Sequence, residues 1–158
     1  MSRTPLVRRI LVTGMSGTGK STVLAELARR GFETVETDVG PWSRWSDEAD
    51  GYVWDEQQVE ELLQRERRTT LFVSGTVSNQ GRFYDRFDEI VLLSAPAEVL
   101  LERIDSRTTN PFGKSVEERE RIFADLADVE PLLRATCTVE LDATQPVEAV
   151  VARLAALA

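Results

Sequence analysis

Gly14-Met15-Ser16-Gly17-Thr18-Gly19-Lys20-Ser21 is a complete glycine-rich phosphate loop, and its flanks decide the fold. Immediately before it, Arg9-Ile10-Leu11-Val12-Thr13 is a short apolar run of the kind that forms a strand buried on both faces. Immediately after it, Lys20 to Arg30 puts Val23, Leu24, Leu27 and Ala28 on one helical face, and Gly31 closes the segment. A glycine turn between strand and helix aims backbone N–H groups at phosphate oxygens, and the helix start adds partial positive charge. In that setting Lys20 reaches the β- and γ-phosphates and the Ser21 hydroxyl ligates Mg²⁺. Gly14, Ser16, Gly17, Thr18 and Gly19 supply the cradle; Thr22 packs or caps the helix, with its hydroxyl within range of the α-phosphate.

Phe32 to Thr37 alternates around Val35 and stops at Asp38, Gly40 and Pro41, which predicts a second strand and a turn. Residues 39–68 change character: Trp42, Trp45 and Trp54, all three tryptophans of the chain, fall here with Tyr52. Asp47, Glu48 and Asp50 read as acids decorating a solvated helix, and a further helix is expected from about Asp55 to Arg68, with Val59, Leu62 and Leu63 inward. Thr70 to Ser74, stopped by Gly75, and Ile90 to Leu93, stopped by Ser94-Ala95-Pro96, are the third and fourth strands, with a short helix or turn between them. Pro96 opens a helix to Asp105, and residues 106–114 form a polar, basic, turn-rich loop. Ser115 with Glu118 is a capping box for a helix towards Ala135 that bends or breaks near Pro131. A fifth strand over 138–142 and a helix over 147–157 close the chain. Strands alternating with helices imply right-handed βαβ units, hence an α/β three-layer sandwich around a five-stranded parallel sheet. Ligands of such sheets bind beyond the carboxyl ends of the strands. The loop at Gly14 and the turns at Asp38 and Gly75 all belong to that edge.

The 158 residues suit one compact domain, and 42% hydrophobic with 29% charged residues is ordinary for a globular protein. A net charge of −8 disfavours nucleic acid as a partner. The absence of His excludes a Ser-His-Asp triad and His-ligated metals. A single cysteine, Cys137, permits no internal disulfide, which fits a reducing cytoplasm. Met1 to Leu6 is too short and too charged for a signal peptide, and no apolar stretch is long enough to span a membrane. The expected assembly is a monomer or weak dimer.

In order and spacing of elements, the whole chain resembles the small P-loop kinases, the shikimate kinase, gluconate kinase and adenylate kinase group of P-loop NTPases. The quoted residues are the phosphate loop, the strand ending in Asp38, the aromatic insert, the strand ending before Gly75, and the helix carrying Arg103 and Arg107 ahead of a basic loop. The resemblance implies a nucleoside-monophosphate-kinase-like fold with a core (1–38, 69–105, 115–158), a substrate-binding insert (39–68) and a lid (106–114). It implies phosphoryl transfer from Mg·ATP to a small molecule, with Lys20, Asp38 and Arg107 catalytic. Asp38 matches the family Asp that holds Mg²⁺ with Ser21 or orients the acceptor hydroxyl; a turn-forming Asp before Gly40-Pro41 is the plainer alternative. Arg107, where the helix meets the loop, is placed to stabilise the transferring group, an effect worth about 10³–10⁵ in P-loop systems. Arg103 lies one turn earlier on the same face, and surface charge is the alternative for both. Pro146, with Thr144 and Gln145, falls where the family packs adenine against backbone.

For the acceptor, the cluster Trp42, Arg44, Trp45, Tyr52 and Trp54 offers stacking for a ring or base and a cation for an acidic group, with core packing the stronger reading for Trp54 beside a helix start. Gly75, Thr76, Asn79 and Arg82 offer close approach and hydrogen bonds. Core packing of the tryptophans and a plain surface arginine are the alternatives. Gly75-Thr76-Val77-Ser78 stands where shikimate kinases carry a glycine run, no His follows Asp38 as in gluconate kinases, and the arginine pattern of adenylate kinases is not recognisable. The resemblance therefore carries the reaction type without the acceptor: a hydroxyl of a small acid or nucleoside, or a nucleotide phosphate. The competing class is a non-kinase P-loop ATPase or switch acting on a macromolecule. The substrate-sized insert and basic loop favour the kinase.

Overall fold

A computed structural model describes residues 7–106 and 115–158. Arg107 and the remainder of the expected lid lie outside the described residues. Five strands, β1 (Arg9–Thr13), β2 (Glu33–Glu36), β5 (Leu71–Ser74), β6 (Glu89–Ser94) and β7 (Val139–Asp142), form one sheet in the order β2-β5-β1-β6-β7. Every pairing in it is parallel, with Leu11 opposite Val73 on one side and Ile90 on the other. The five strands expected from the sequence are these.

The sheet separates two apolar layers because successive strand residues point to opposite faces. Ile10, Val12, Phe72, Val91 and Leu93 pack against α1 (Lys20–Arg29) and α6 (Val147–Leu157), chiefly Val23, Leu24, Leu27, Val151 and Leu154. Leu11, Leu71, Val73 and Ile90 face the other way, onto Val59, Leu62 and Leu63 of α2 (Glu56–Gln64) and onto Trp54, Phe83 and Phe87. A third cluster joins Met15 and Leu92 to Leu100 of α3 (Ala97–Ser106) and Leu133 of α5 (Glu130–Thr136). Helices on both faces confirm the three-layer α/β sandwich.

Local chemistry sets the helix ends. Asp55 caps α2 by accepting from Gln58 N (3.1 Å). Ser115 caps α4 (Val116–Asp128), accepting from Glu118 N at 3.1 Å while its hydroxyl donates to the Glu118 carboxylate at 3.0 Å. The expected break near Pro131 is the junction at Val129, and Pro131 sits in the first turn of α5, where its missing N–H leaves no bond unmade.

Two expectations fail within 39–68. First, α2 stops at Gln64 and not near Arg68: Arg65 is extended, and Arg67, its side chain buried, folds back to donate to Leu62 O (2.7 Å) and Glu33 (3.0 Å). Second, Asp47, Glu48 and Asp50 are not on a helix. They form the turn of an antiparallel hairpin, β3 (Ser43–Ser46) and β4 (Gly51–Trp54), closed by Asp50 N donating to Asp47 O at 3.2 Å. Asp50 takes the left-handed conformation (φ 50°) that Asp tolerates in such turns.

Candidate active site

The phosphate loop leaves β1 at Gly14 and enters α1 at Lys20. Gly14, Gly17 and Gly19 have φ of 150°, 88° and 91°. At two of them space as well as conformation demands glycine: a Cβ on Gly14 would lie 2.5 Å from Leu93 O, and one on Gly17 2.9 Å from Leu100 O of α3. Thr18 is buried, its hydroxyl donating to Met15 O (2.9 Å), which ties the loop to itself. Lys20 Nζ donates to Gly14 O (2.6 Å) and Met15 O (3.0 Å), so the ammonium lies over the loop's own carbonyls.

A chain of polar side chains supports the loop from below. Gln80, fully buried, donates to Tyr84 Oη (3.0 Å) and to Thr13 Oγ1 (3.1 Å). Thr13 Oγ1 and Thr76 Oγ1 share a bond of 3.1 Å. Thr76 accepts from Gly14 N (3.2 Å) and donates to Gly14 O (2.6 Å). A hydroxyl has one proton, and Thr76 uses it on Gly14 O, so Thr13 is the donor to Thr76. Thr76, expected at the acceptor, buttresses the phosphate loop instead.

Two cavities open on this loop. The first, about 500 Å³, is lined by Ser16 to Val23, Asp38, Arg103, Ala143, Gln145, Val147 and Val150. It brings Lys20, Ser21, Thr22, Asp38 and Arg103 to one place, as the spacing predicts. Arg103 spans it, donating to Gly17 O (3.3 Å) and Ala143 O (2.5 Å), and so ties the phosphate loop to the segment after β7. Pro146 stands between two of the lining residues, as N-cap of α6. In the same segment Thr144 donates its hydroxyl (2.6 Å) and its N–H (2.8 Å) to Asp142, which holds that carboxyl below its ordinary range.

The second cavity, about 430 Å³, is lined by Met15, Ser16, Trp45, Gly51, Tyr52, Arg121, Ile122 and Asp125. Ser16 belongs to both walls. Of the expected acceptor residues, Trp45 and Tyr52 line it. Arg44 is exposed on the hairpin, and Trp42 packs on the α2 side of the core with Arg65 6.0 Å from its ring. Gly75 lies under Trp54 and Thr37: a Cβ there would meet Thr37 Oγ1 at 2.5 Å. Asn79 grips both backbone groups of Trp54, accepting from its N (2.9 Å) and donating to its O (3.0 Å). Arg82 pairs with Glu56 on the surface at 3.1 Å. Sequence reasoning missed Arg121 and Asp125. Nothing local marked either one, since both stand on α4, far from the insert in sequence.

Among the described residues no group of three or more metal-binding side chains occurs. A Mg²⁺ held mainly by substrate phosphates needs only one or two protein oxygens, and Ser21 and Asp38 face one cavity with the loop glycines. The donor set therefore fits a magnesium nucleotide. No helix among the described residues is long and apolar enough to cross a membrane.

No curated protein matches the sequence. Solved structures match over nearly the whole chain. Shikimate kinase from Acinetobacter baumannii in complex with shikimate superposes with a TM-score of 0.67 at 21% identity, covering 96% of this chain and 93% of that one. Shikimate kinase from Bacteroides thetaiotaomicron gives 0.69 at 19%, covering 96% and 98%. Deoxyadenosine kinase from M. mycoides with bound dATP gives 0.62 at 13%, covering 95% and 98%. These likenesses establish the fold expected from the resemblance, that of the small P-loop kinases. The model of a family described as AAA domain matches residues 10–124, a span that holds the phosphate loop, Asp38, the hairpin and Arg103. By that match over most of its length, the chain belongs to the AAA domain family.

Proposed function

We propose that this protein is an ATP-dependent phosphotransferase that moves the γ-phosphoryl group of Mg·ATP to a small-molecule acceptor. One observation carries the proposal: two cavities of small-molecule size meet at Ser16, one lined by the phosphate loop and Asp38, the other by aromatic side chains and α4. A nucleotide in the first would point its terminal phosphate at an acceptor in the second. An ATPase or switch driving a macromolecule has no need of the second cavity.

The residues divide the work by position. Lys20 and the loop N–H groups bind the β- and γ-phosphates. Ser21 and Asp38 hold Mg²⁺, which when bound offsets charge on the phosphoryl oxygens. Asp38 is also assigned the orientation of the acceptor hydroxyl. Arg103 keeps the loop and the base side of the cavity in fixed relation. The hairpin within 39–68 presents the acceptor wall. The basic segment 106–114 is assigned the lid, and Arg107 the stabilisation of the transferring group. In the transfer, the acceptor oxygen bonds to the γ-phosphorus as the bond to the β–γ bridging oxygen breaks. Its electron pair leaves on ADP and the hydroxyl proton passes to water.

The test is calorimetric titration with Mg·ATP, followed by ATP consumption across nucleosides, nucleotides, sugar acids and shikimate-like acids. Mg·ATP is expected to bind, one acceptor class is expected to accelerate its loss, and Lys20→Ala is expected to lower turnover by at least ~10²-fold. No binding of Mg·ATP to folded protein overturns the proposal; so does full turnover by the Lys20 variant.

A further inference from the structure

The second cavity has a composition that selects among acceptors. Trp45 and Tyr52 are large aromatics left 52% and 65% exposed, unusual for side chains of this size. They are not loose. Trp45 Nε1 donates to Asp47 (2.8 Å), and the Tyr52 ring stands edge-on to the indole, with centroids 5.4 Å apart and planes at 85°. The hairpin register puts the two opposite each other. An indole fixed by a carboxylate and braced by a second ring is a preformed stacking wall, with little rotamer freedom left to lose when a ligand arrives. Met15 and Ile122, both buried, are the apolar floor.

Charge decides the rest. Arg121 and Asp125 line the same cavity one helical turn apart on α4, and neither has an ion pair or side-chain hydrogen bond among the described residues. A small anion would gain from Arg121 and lose to Asp125. The hairpin turn beside the wall adds Asp47, Glu48 and Asp50, so the surroundings repel a carboxylate or phosphate further. An uncharged molecule that offers an acceptor edge to Arg121 and a donor edge to Asp125 meets no such conflict. Its flat face covers the apolar wall.

Resting on the kinase reading, we infer that the acceptor is an uncharged, flat-ringed hydroxyl compound of the nucleoside class. Its ring lies on Trp45 and Tyr52, its polar edge meets Arg121 and Asp125, and its hydroxyl points to Ser16.

The experiment is equilibrium binding to the full chain without nucleotide, by calorimetry, with adenosine, thymidine, shikimate, gluconate and AMP as probes. A nucleoside is expected to bind at least tenfold more tightly than shikimate, gluconate or AMP. Trp45→Ala is expected to weaken it about tenfold, equivalent to ~1.4 kcal/mol, and Trp45→Phe to restore most of the loss. Asp125→Asn is expected to narrow the margin against AMP and the acids. Both sites are on the surface, so circular dichroism verifies that the variants fold. Tighter binding of an acid or AMP, no nucleoside binding, or indifference to Trp45→Ala overturns the inference. A parallel Mg·ATP titration separates the two claims. Retained ATP binding with an acidic acceptor leaves the kinase standing without the nucleoside; absent ATP binding removes the kinase itself.

Discussion

Three glycines with nearly the same backbone angle separate what conformation costs from what contact costs. Gly17, Gly19 and Gly31 have φ of 88°, 91° and 94°. An L-residue forced into that region costs about 1–2 kcal/mol. At Gly19 and Gly31 a Cβ would meet nothing within 4 Å, so Ala there carries the conformational cost alone. At Gly17 the same Cβ would lie 2.9 Å from Leu100 O, 3.3 Å from Leu100 Cα and 3.4 Å from Ile104 Cγ1. Leu100 and Ile104 are fully buried in α3, so the obstacle is backbone that cannot swing aside. Overpacking of that kind adds roughly 1–3 kcal/mol. The expected order in thermal unfolding is therefore Gly31→Ala and Gly19→Ala alike, and Gly17→Ala lower by the contact term. At roughly 2–4 °C per kcal/mol for a chain of this size, the first two fall by about 2–8 °C and Gly17→Ala by about 4–20 °C. Mg·ATP titration adds a second axis, since Gly31 lies outside the site and its variant should bind like the parent. Equal melting of Gly17→Ala and Gly31→Ala would refute the close approach of the phosphate loop to α3.

Thr76→Val keeps the shape of the side chain but leaves Gly14 N–H without its acceptor; an unsatisfied buried group costs about 1–3 kcal/mol, so calorimetric unfolding should show Tm lower by roughly 2–12 °C, and an unchanged Tm would show the network to be idle. Glu140 donates no bond but accepts from Arg134 (3.0 Å) and Ser94 (2.7 Å), which holds its carboxyl below the ordinary range, so its stabilisation is complete above about pH 4.3 and is lost as pH falls through the lowered folded value. The stability gap between parent and Glu140→Gln, from urea unfolding at successive pH values, should shrink on acidification in that window; a gap independent of pH would count against the assignment.

The three central strands, β5, β1 and β6, were legible because they are buried on both faces, and an apolar run bounded by Gly or Pro admits few other structures. The edge strands β2 and β7 are only partly buried and alternate apolar with charged residues. The phosphate loop was legible because its function needs particular residues at fixed spacing. The hairpin was obscured by its contents. Ser43, Arg44 and Ser46 lack the apolar alternation of a half-buried strand, since no residue of β3 is fully buried, and the acids of its turn suit a helix surface equally well. The second cavity was partly obscured for another reason. Trp45 and Tyr52 stood out as aromatics of the insert, but Arg121 and Asp125 come from α4, remote in sequence from the hairpin and brought to it only in the folded chain. Core packing, the stronger reading for Trp54, is what the structure shows: Trp54 is fully buried with its indole N–H on Thr37 (2.9 Å), while Asn79, expected at the acceptor, holds that strand in place. Residue type alone cannot tell an aromatic that builds a wall from one that presents it.

The support under the phosphate loop explains how one loop serves both with and without nucleotide. Gly14 O has two lone pairs, and both are engaged, by Thr76 Oγ1 and by Lys20 Nζ, each at 2.6 Å. On the proposed reading, a β- or γ-phosphate would draw Lys20 away from that carbonyl. Were lysine its only partner, the carbonyl would be orphaned at the moment of binding, and the loop would relax just where geometry matters. Thr76 remains, and is itself polarised through Thr13 by the fully buried Gln80. The carbonyl keeps one strong bond, Gly14 N keeps its acceptor, and the backbone donors stay aimed while the ammonium moves. Thr76→Val thus has a second signature beyond lower stability. Mg·ATP affinity should fall as well, because binding would then strip Gly14 O of its last partner. A variant that melts earlier yet binds Mg·ATP as tightly as the parent would show that Thr76 supports the fold and not the loop's constancy.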